Sequence, residues 1–325
     1  MAVKSFPILR LPSLAREKVL KSLIPIQVFI LSQFSRRMKY AVKSEYRNTG
    51  QELSVSVHSS SMLICTHFSG KITGEFYVNE IEISNKWGMR IESKYFKRRF
   101  IRLTLRIYNR NSQEYTKQLL EEFIDVFSFP IAKMSFGPDK EDYKSIIQWV
   151  NSYSQKTQLI IVNGPRVPVE RYFYVLEHLE SPNNVEFQLL IEDHDSRISR
   201  IPTFRAEKIK FIYGDFIRLR HLKSFSGKEY TIREATINDK ELNDFLCGLA
   251  AGANPNLRRL KLERYGKAVI DDVLKNLRAR KIGEYSDYRE QWSFELENGN
   301  QVILTYDELL PNINESSIDI VINRD

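Results

Sequence analysis

From about residue 115 the chain alternates helix-like and strand-like segments, and this alternation limits the possible folds more than any other feature. EYTKQLLEEFIDVF leads to IAKMSF, DYKSIIQWVNSY to TQLIIV, VERYFYVLEHL to VEFQLLI, and DKELNDFLCGLAAG to LRRLKLE. Between the last two pairs lie EKIKFIY, FIRLRHL and EYTIRE. Strand centres fall about 20 to 30 residues apart, a period shared with leucine-rich-repeat-like solenoids. Short links between helices and strands predict parallel pairing, because parallel neighbours need a crossover rather than a tight turn. LRRLKL carries the L-x-x-L-x-L spacing through Leu257, Leu260 and Leu262, but the other turns do not reproduce it. The expected fold is therefore a degenerate, curved, leucine-rich-repeat-like α/β array, with an ordinary open α/β sheet as the alternative.

The segments on either side follow other rules. In residues 51–110, LSVSVHS, FYVNEIEIS and FIRLTLRIY alternate apolar and polar positions, which predicts strands in a meander or sheet extension. In AAGANPN, Gly252 suits a left-handed helix end and Asn254-Pro255 a turn. Near the C-terminus, WSFELENGNQVILTY holds two strand-like runs around Asn298-Gly299, a strong hairpin signal. SSIDIVIN adds a further strand, which either closes the last edge of the array or lies loose.

The first 44 residues read as helices. Ser13 is placed to cap a helix along which Ala15, Val19, Leu20, Leu23 and Ile24 recur at helical spacing. Pro25 ends that helix and suits the first turn of the next, where Leu31, Phe34, Met38 and Val42 repeat every three or four residues. So small a module has more apolar surface than it can bury alone, and must pack on the rest of the chain or on a partner. It also holds the whole charge excess. The chain carries 49 Lys or Arg against 41 Asp or Glu, a net charge of +8. Nine of the basic residues and only Glu17 of the acids lie before residue 45, so the remainder is balanced at 40 of each. Proteins that track phosphates usually carry the basic footprint on the binding domain, so this distribution argues against nucleic acid. An electrostatic partner would be acidic and would meet the N-terminus.

Signs of chemistry are few. The composition, 42% apolar and 28% charged, is that of a globular chain, and no run approaches the roughly 20 apolar residues a bilayer span needs. Cys65 and Cys247 sit in apolar settings (LICTHF, FLCGLA) and read as buried structural thiols in a reducing compartment. Among His58, His67, His178, His194 and His221, only the EDHDSR cluster at 192–197 brings a histidine beside acids, and a solvated loop explains it. The SGK triplets at 69–71 and 226–228 lack the first glycine and the final Ser or Thr of a phosphate-binding loop, and read as turns. Glu121-Glu122 and Asp271-Asp272 read as solvated helix faces. No catalytic residue, metal site or cofactor is expected.

The opening segment resembles an F-box, the helical module that docks substrate receptors onto the Skp-type adaptor of cullin ubiquitin ligases. The matching residues are Leu11-Pro12, Val19, Leu20, Leu23, Pro25, Phe29, Leu31-Ser32, Ser35 and Arg36-Arg37. Met38 stands where many F-boxes have Trp, and Phe6-Pro7-Ile8-Leu9-Arg10 is similar to the opening of nematode-expanded F-box families. A second stretch, IKFIYGDF through LKSFSGKEYTIREATINDKELNDFLCGLAAGANPNLRRLKLE, resembles the type 2 F-box-associated domain of those families. It carries Leu242, Asn243-Asp244-Phe245-Leu246 and the L-x-x-L-x-L strand, with Leu249 where Trp is frequent.

Together these resemblances imply a non-catalytic substrate-recognition subunit of a Skp–cullin–F-box ligase. Residues 1–46 would form the F-box and 47–112 a β-rich connecting segment. Residues 113–280 would form the substrate-binding α/β region, with an F-box-associated core at 185–265, and 281–325 a hairpin and cap. The expected adaptor contacts are Leu11, Pro12, Val19, Leu20, Leu23, Ile26 and Leu31, with several of them closing the module's own core. The expected partners are a Skp-type adaptor, through it a cullin, and a protein substrate, without nucleic acid or membrane, in the cytoplasm or nucleus. Three alternatives stand: a scaffold that binds without ubiquitination, a basic mitochondrial presequence, and a helix-turn-helix nucleic-acid module.

Overall fold

The computed structural model describes residues 8–23, 25–46, 50–58, 61–69, 71–80, 88–96, 100–108, 112–138, 142–181, 183–192, 201, 206–286, 289–310 and 315–323. The chain divides into two compact units, Met1–Ser135 and Phe136–Asp325.

The first unit opens with a single 3-10 turn at Ile8–Arg10 and three helices, α1 (Ser13–Ser22), α2 (Pro25–Ser32) and α3 (Arg36–Tyr46). Strands β1 (Gln51–His58), β2 (Ser61–Phe68), β3 (Lys71–Glu80), β4 (Gly88–Phe96) and β5 (Phe100–Tyr108) follow. Helix α4 (Ser112–Phe127) and strand β6 (Ile131–Phe136) complete it. The sheet order is β6-β1-β2-β3-β5-β4. The pairs β1/β2, β2/β3 and β4/β5 are antiparallel, while β3 and β5 run parallel. Alternation in LSVSVHS does what period-two patterning requires. Leu53, Val55 and Val57 are buried, and Met62 and Ile64 of β2 join them. Beside β1, Pro130 accepts the Leu53 N–H at 2.9 Å and Ser135 Oγ lies 2.7 Å from Ser56 Oγ.

The second unit runs α5 (Tyr143–Ser154), β7 (Thr157–Asn163), α6 (Val169–His178), β8 (Asn184–Gln188), β9 (Lys208–Phe211), α7 (Leu219–Ser224), β10 (Glu229–Ala235), α8 (Asp239–Ala250) and β11 (Arg259–Tyr265). A short helix α9 (Ile270–Val273) precedes β12 (Arg280–Ser286), β13 (Arg289–Glu295), β14 (Gln301–Leu310) and β15 (Glu315–Asn323). Its strand order is β12-β13-β14-β15-β11-β10-β9-β8-β7. Strands β7 to β11 lie in chain order with every neighbour parallel, as the helix–strand alternation predicts. β12 to β15 form an antiparallel meander, and β15 inserts between β14 and β11. The architecture is mixed α/β with a mixed sheet; a leucine-rich-repeat array is not shown. SSIDIVIN thus covers the edge of β11, burying Ile318, Ile320 and Ile322. The Asn298-Gly299 turn joins β13 to β14 with Gly299 at φ 83°, a left-handed conformation that favours glycine.

Local chemistry explains the central helix of this unit. Asn238 caps α8, its side-chain oxygen accepting the Glu241 N–H at 2.9 Å while Glu241 accepts the Asn238 N–H at 3.2 Å. Leu242, Phe245, Leu246 and Leu249 are buried along one face, and Leu257, Leu260 and Leu262 are buried in the following turn and strand. Gly252 ends the helix at φ 86°. Asn254 then donates to the Leu222 and Phe225 carbonyls at 3.1 and 2.9 Å, tying that loop to the end of α7.

Gly214 is held by close packing rather than by its dihedrals. A β-carbon there would collide with Ile232 Cγ2 and come within 2.8 Å of the Arg233 carbonyl oxygen. Because the carbonyl belongs to a strand and cannot swing aside, Gly214→Ala is expected to destabilise the fold by about 1–3 kcal/mol. Urea unfolding of the wild type and variant measures this, and an unchanged midpoint would contradict it.

Candidate functional site

The N-terminal helices form their own small core and then close one side against α4. Leu20, Val28, Phe29, Met38, Val42 and Tyr46 are buried. Tyr46 Oη lies 2.9 and 3.0 Å from the carbonyl oxygens of Leu20 and Leu23 and shares its one proton between them at the end of α1. Burial pushes the Tyr46 phenol up to about 12, so it stays a donor. Phe29 meets Phe123 of α4 at a centroid distance of 4.9 Å, and Phe123 meets Phe127 at 4.7 Å. Tyr46 adds an edge-on contact to Phe127 at 5.4 Å. Lys39 and Lys43 both reach Asp125, at 2.9 and 2.5 Å, and these hydrogen bonds hold its carboxyl below the ordinary carboxylate range. Asp125 is half exposed, so exposed ion pairs of this kind contribute only about 0.2–1 kcal/mol each. The aromatic seam dominates: each fully buried Phe is worth about 1.5–3 kcal/mol. The α4 segment, expected to open the α/β array, thus takes up one of the module's surplus apolar faces.

Two expectations about the local helices need correction. Ser13 begins α1 but does not cap it: Pro12 occupies the N-cap with no side-chain bond. The proposed second helix is two helices, broken at residues 33–35, where Ser35 Oγ accepts the Met38 N–H at 3.1 Å. Ser35 competes for the backbone as capping residues do and starts α3 afresh. The break turns Phe34 out of the core stripe to which its spacing assigned it, leaving it 75% exposed.

The seven expected adaptor contacts fall into different environments. Pro12 is exposed, and Leu11, Val19, Leu23 and Leu31 are half-buried. Ala15 and Val19 are four residues apart and share one side of α1, while Leu23 follows the helix in an extended conformation. Leu20 is fully buried in the module itself and is not available to a partner. The Ile26 side chain lies outside the described residues. Sequence reasoning missed the most exposed apolar residues among those described in the module, Leu14 at 64%, Phe34 at 75% and Tyr40 at 72%. For Leu14 a signal was present, since on a helical projection it falls opposite the apolar stripe of α1, beside Lys18 and Lys21.

The other sites singled out in the sequence have structural roles where they are described. His178 stacks on Tyr174 at 3.9 Å, and His221 is buried with Nδ1 accepting the Arg218 N–H at 2.9 Å. In the EDHDSR cluster everything after Glu192 lies outside the described residues. At the second SGK triplet, the Gly227 N–H donates to the buried Tyr230 hydroxyl at 2.6 Å. Cys65 is buried and Cys247 half-buried, and neither is in a disulfide. Burial raises the Cys247 pKa above its ordinary value, with Asp244 adding to the shift. Among the described residues no group of His, Cys, Asp and Glu is arranged to hold a metal ion, and no helix is long and apolar enough to cross a membrane.

Comparison with known families fits this division. Residues 8–49, the module just described, match the model of the F-box domain. Residues 201–262, covering β9, α7, β10, α8 and the first part of β11, match a family described as F-box associated. The chain therefore carries an N-terminal F-box domain and a C-terminal F-box-associated domain. Neither is catalytic, and an F-box implies binding to a Skp-type adaptor. No curated protein matches the chain, and no solved structure does.

Proposed function

We propose that the chain is the substrate-recognition subunit of a Skp–cullin–F-box ubiquitin ligase. The observation that carries this reading is an F-box whose rear face is taken by α4 while Leu14, Phe34 and Tyr40 stay exposed. Apolar side chains left uncovered on so small a module suit a partner's groove. Leu11, Pro12, Val19, Leu23, Ile26 and Leu31 complete the proposed apolar contact set, and Leu20, buried within the module, supports it. Its basic residues would steer an acidic adaptor, affecting association rate more than affinity.

In this reading the F-box spans residues 1–46 and a β-rich segment, 47–112, follows it. Residues 113–280 form the receptor for a protein substrate, with an F-box-associated core at 185–265, and residues 281–325 cap it. The parallel, sequentially ordered strands β7 to β11 support a degenerate curved repeat as the receptor's scaffold. A cullin joins through the adaptor, and the complex works inside the cell, in the cytoplasm or nucleus. Recovery of tagged full-length chain from cells tests the reading. Adaptor and cullin should co-purify, and a co-purified partner should gain ubiquitin when activating and conjugating enzymes are added. Absence of the adaptor would overturn the reading. Adaptor and cullin without any ubiquitinated partner would favour a binding scaffold instead.

A further inference from the structure

The second unit contains an open groove of about 970 Å³ between the C-terminal end of α8 and the start of the antiparallel meander. Its apolar floor includes Ala250, Leu277, Phe294 and Leu296. Arg278 and Arg280 line it from the segment entering β12, and Glu295 and Glu297 line it from the end of β13. All four charged side chains are exposed, and among the described residues none is engaged in an ion pair or side-chain hydrogen bond.

Some cations of the same unit are compensated locally. Arg259 makes a two-pronged bond to Asp319 at 2.9 and 2.6 Å, Arg264 pairs with Asp239 at 2.6 Å, and Lys281 pairs with Glu284 and Glu290 at 3.0 and 2.9 Å. Across the groove the opposite charges remain unbridged. β12 is also the terminal strand of the unit's sheet, so its outer edge is a template for a further strand. A bulge after Lys281 interrupts β12 and leaves Ile282 half exposed, which confines regular pairing to the strand's first residues, beside the groove.

We infer that this groove is the substrate-binding site of the receptor and takes an extended peptide segment of mixed charge, presenting a carboxylate to Arg278 and Arg280 and a cationic side chain to Glu295 and Glu297. The inference rests on the receptor reading above. The two charged lips would set which segment fits and in which direction it lies. The apolar floor would take the small side chain between the two charges.

Selection with the full-length chain from a displayed library of random twelve-residue peptides tests this directly. The wild type is expected to enrich peptides that carry an acidic and a basic residue close together. Arg278→Glu with Arg280→Glu makes both lips acidic and should shift selection toward basic peptides, about tenfold over acidic ones. Glu295→Lys with Glu297→Lys should shift it by a similar factor in the opposite direction. Failure to enrich any peptide, or the same peptides from all three proteins, would overturn the inference. Unchanged melting temperatures would show that the four exposed substitutions leave the fold intact. Titration of each protein with purified Skp-type adaptor separates the two readings. Adaptor binding should be equal in all three, and its absence from the wild type would count against the receptor reading, whereas the peptide selection alone judges the groove.

Discussion

Phe123→Ala is expected to destabilise the first unit by about 3–5 kcal/mol, the range for truncating a buried aromatic side chain. Phe123 is fully buried on α4 and lies between Phe29 of the F-box, at 4.9 Å, and Phe127, at 4.7 Å. Removing its ring opens a cavity at the seam where the F-box meets the following segment. The backbone of two helices lines that seam and can close it only in part. A double-mutant cycle with Phe29→Ala should show a coupling of about 0.5–1.5 kcal/mol, as expected for a packed aromatic pair. Chemical denaturation followed by circular dichroism measures both quantities. A loss below about 1 kcal/mol for Phe123→Ala would mean that the aromatic seam does not hold the F-box to α4.

The second large effect concerns docking. Leu14→Asp with Phe34→Asp is expected to weaken adaptor binding by at least about 100-fold, on the order of the loss when two interface anchors are truncated. Both side chains are exposed in the free protein, so the double variant should keep the wild-type melting temperature. Leu20→Asp should behave differently. A carboxylate forced into that fully buried position has no cationic partner, so the module itself should unfold before any question of docking arises. The pair of variants thus separates loss of surface from loss of fold. Retained adaptor affinity in a folded Leu14/Phe34 double variant would move the docking surface elsewhere on the module.

Sequence periodicity proved informative wherever neighbours in the chain are also neighbours in space. Alternation in LSVSVHS predicts β1 and its buried face, and the regular return of helix and strand predicts the parallel order β7 to β11. The Asn298-Gly299 hairpin was legible for the same reason, since the turn is local and Gly299 supplies its left-handed residue. What depends on distant pairing was not. SSIDIVIN reads as a strand, but nothing local says that it enters between β14 and β11. Likewise, the apolar stripe of EYTKQLLEEFIDVF says that α4 must bury a face without saying that the F-box will cover it. At the candidate site, competition between capping and helix continuation decided the outcome. Ser35 caps α3, and the break it makes turns Phe34 from an expected core residue into the most exposed apolar side chain among the module's described residues. Leu20 shows the reverse case, because helical spacing cannot tell a residue that faces a partner from one that faces the next helix.

Isothermal titration of the purified full-length chain with a purified Skp-type adaptor tests the central claim most directly. The account predicts a one-to-one complex with wild-type protein, a negative heat-capacity change from burial of the exposed apolar side chains, and no measurable binding by the folded Leu14→Asp, Phe34→Asp variant. A wild-type chain that is folded but gives no heat of binding and no complex on gel filtration would contradict it.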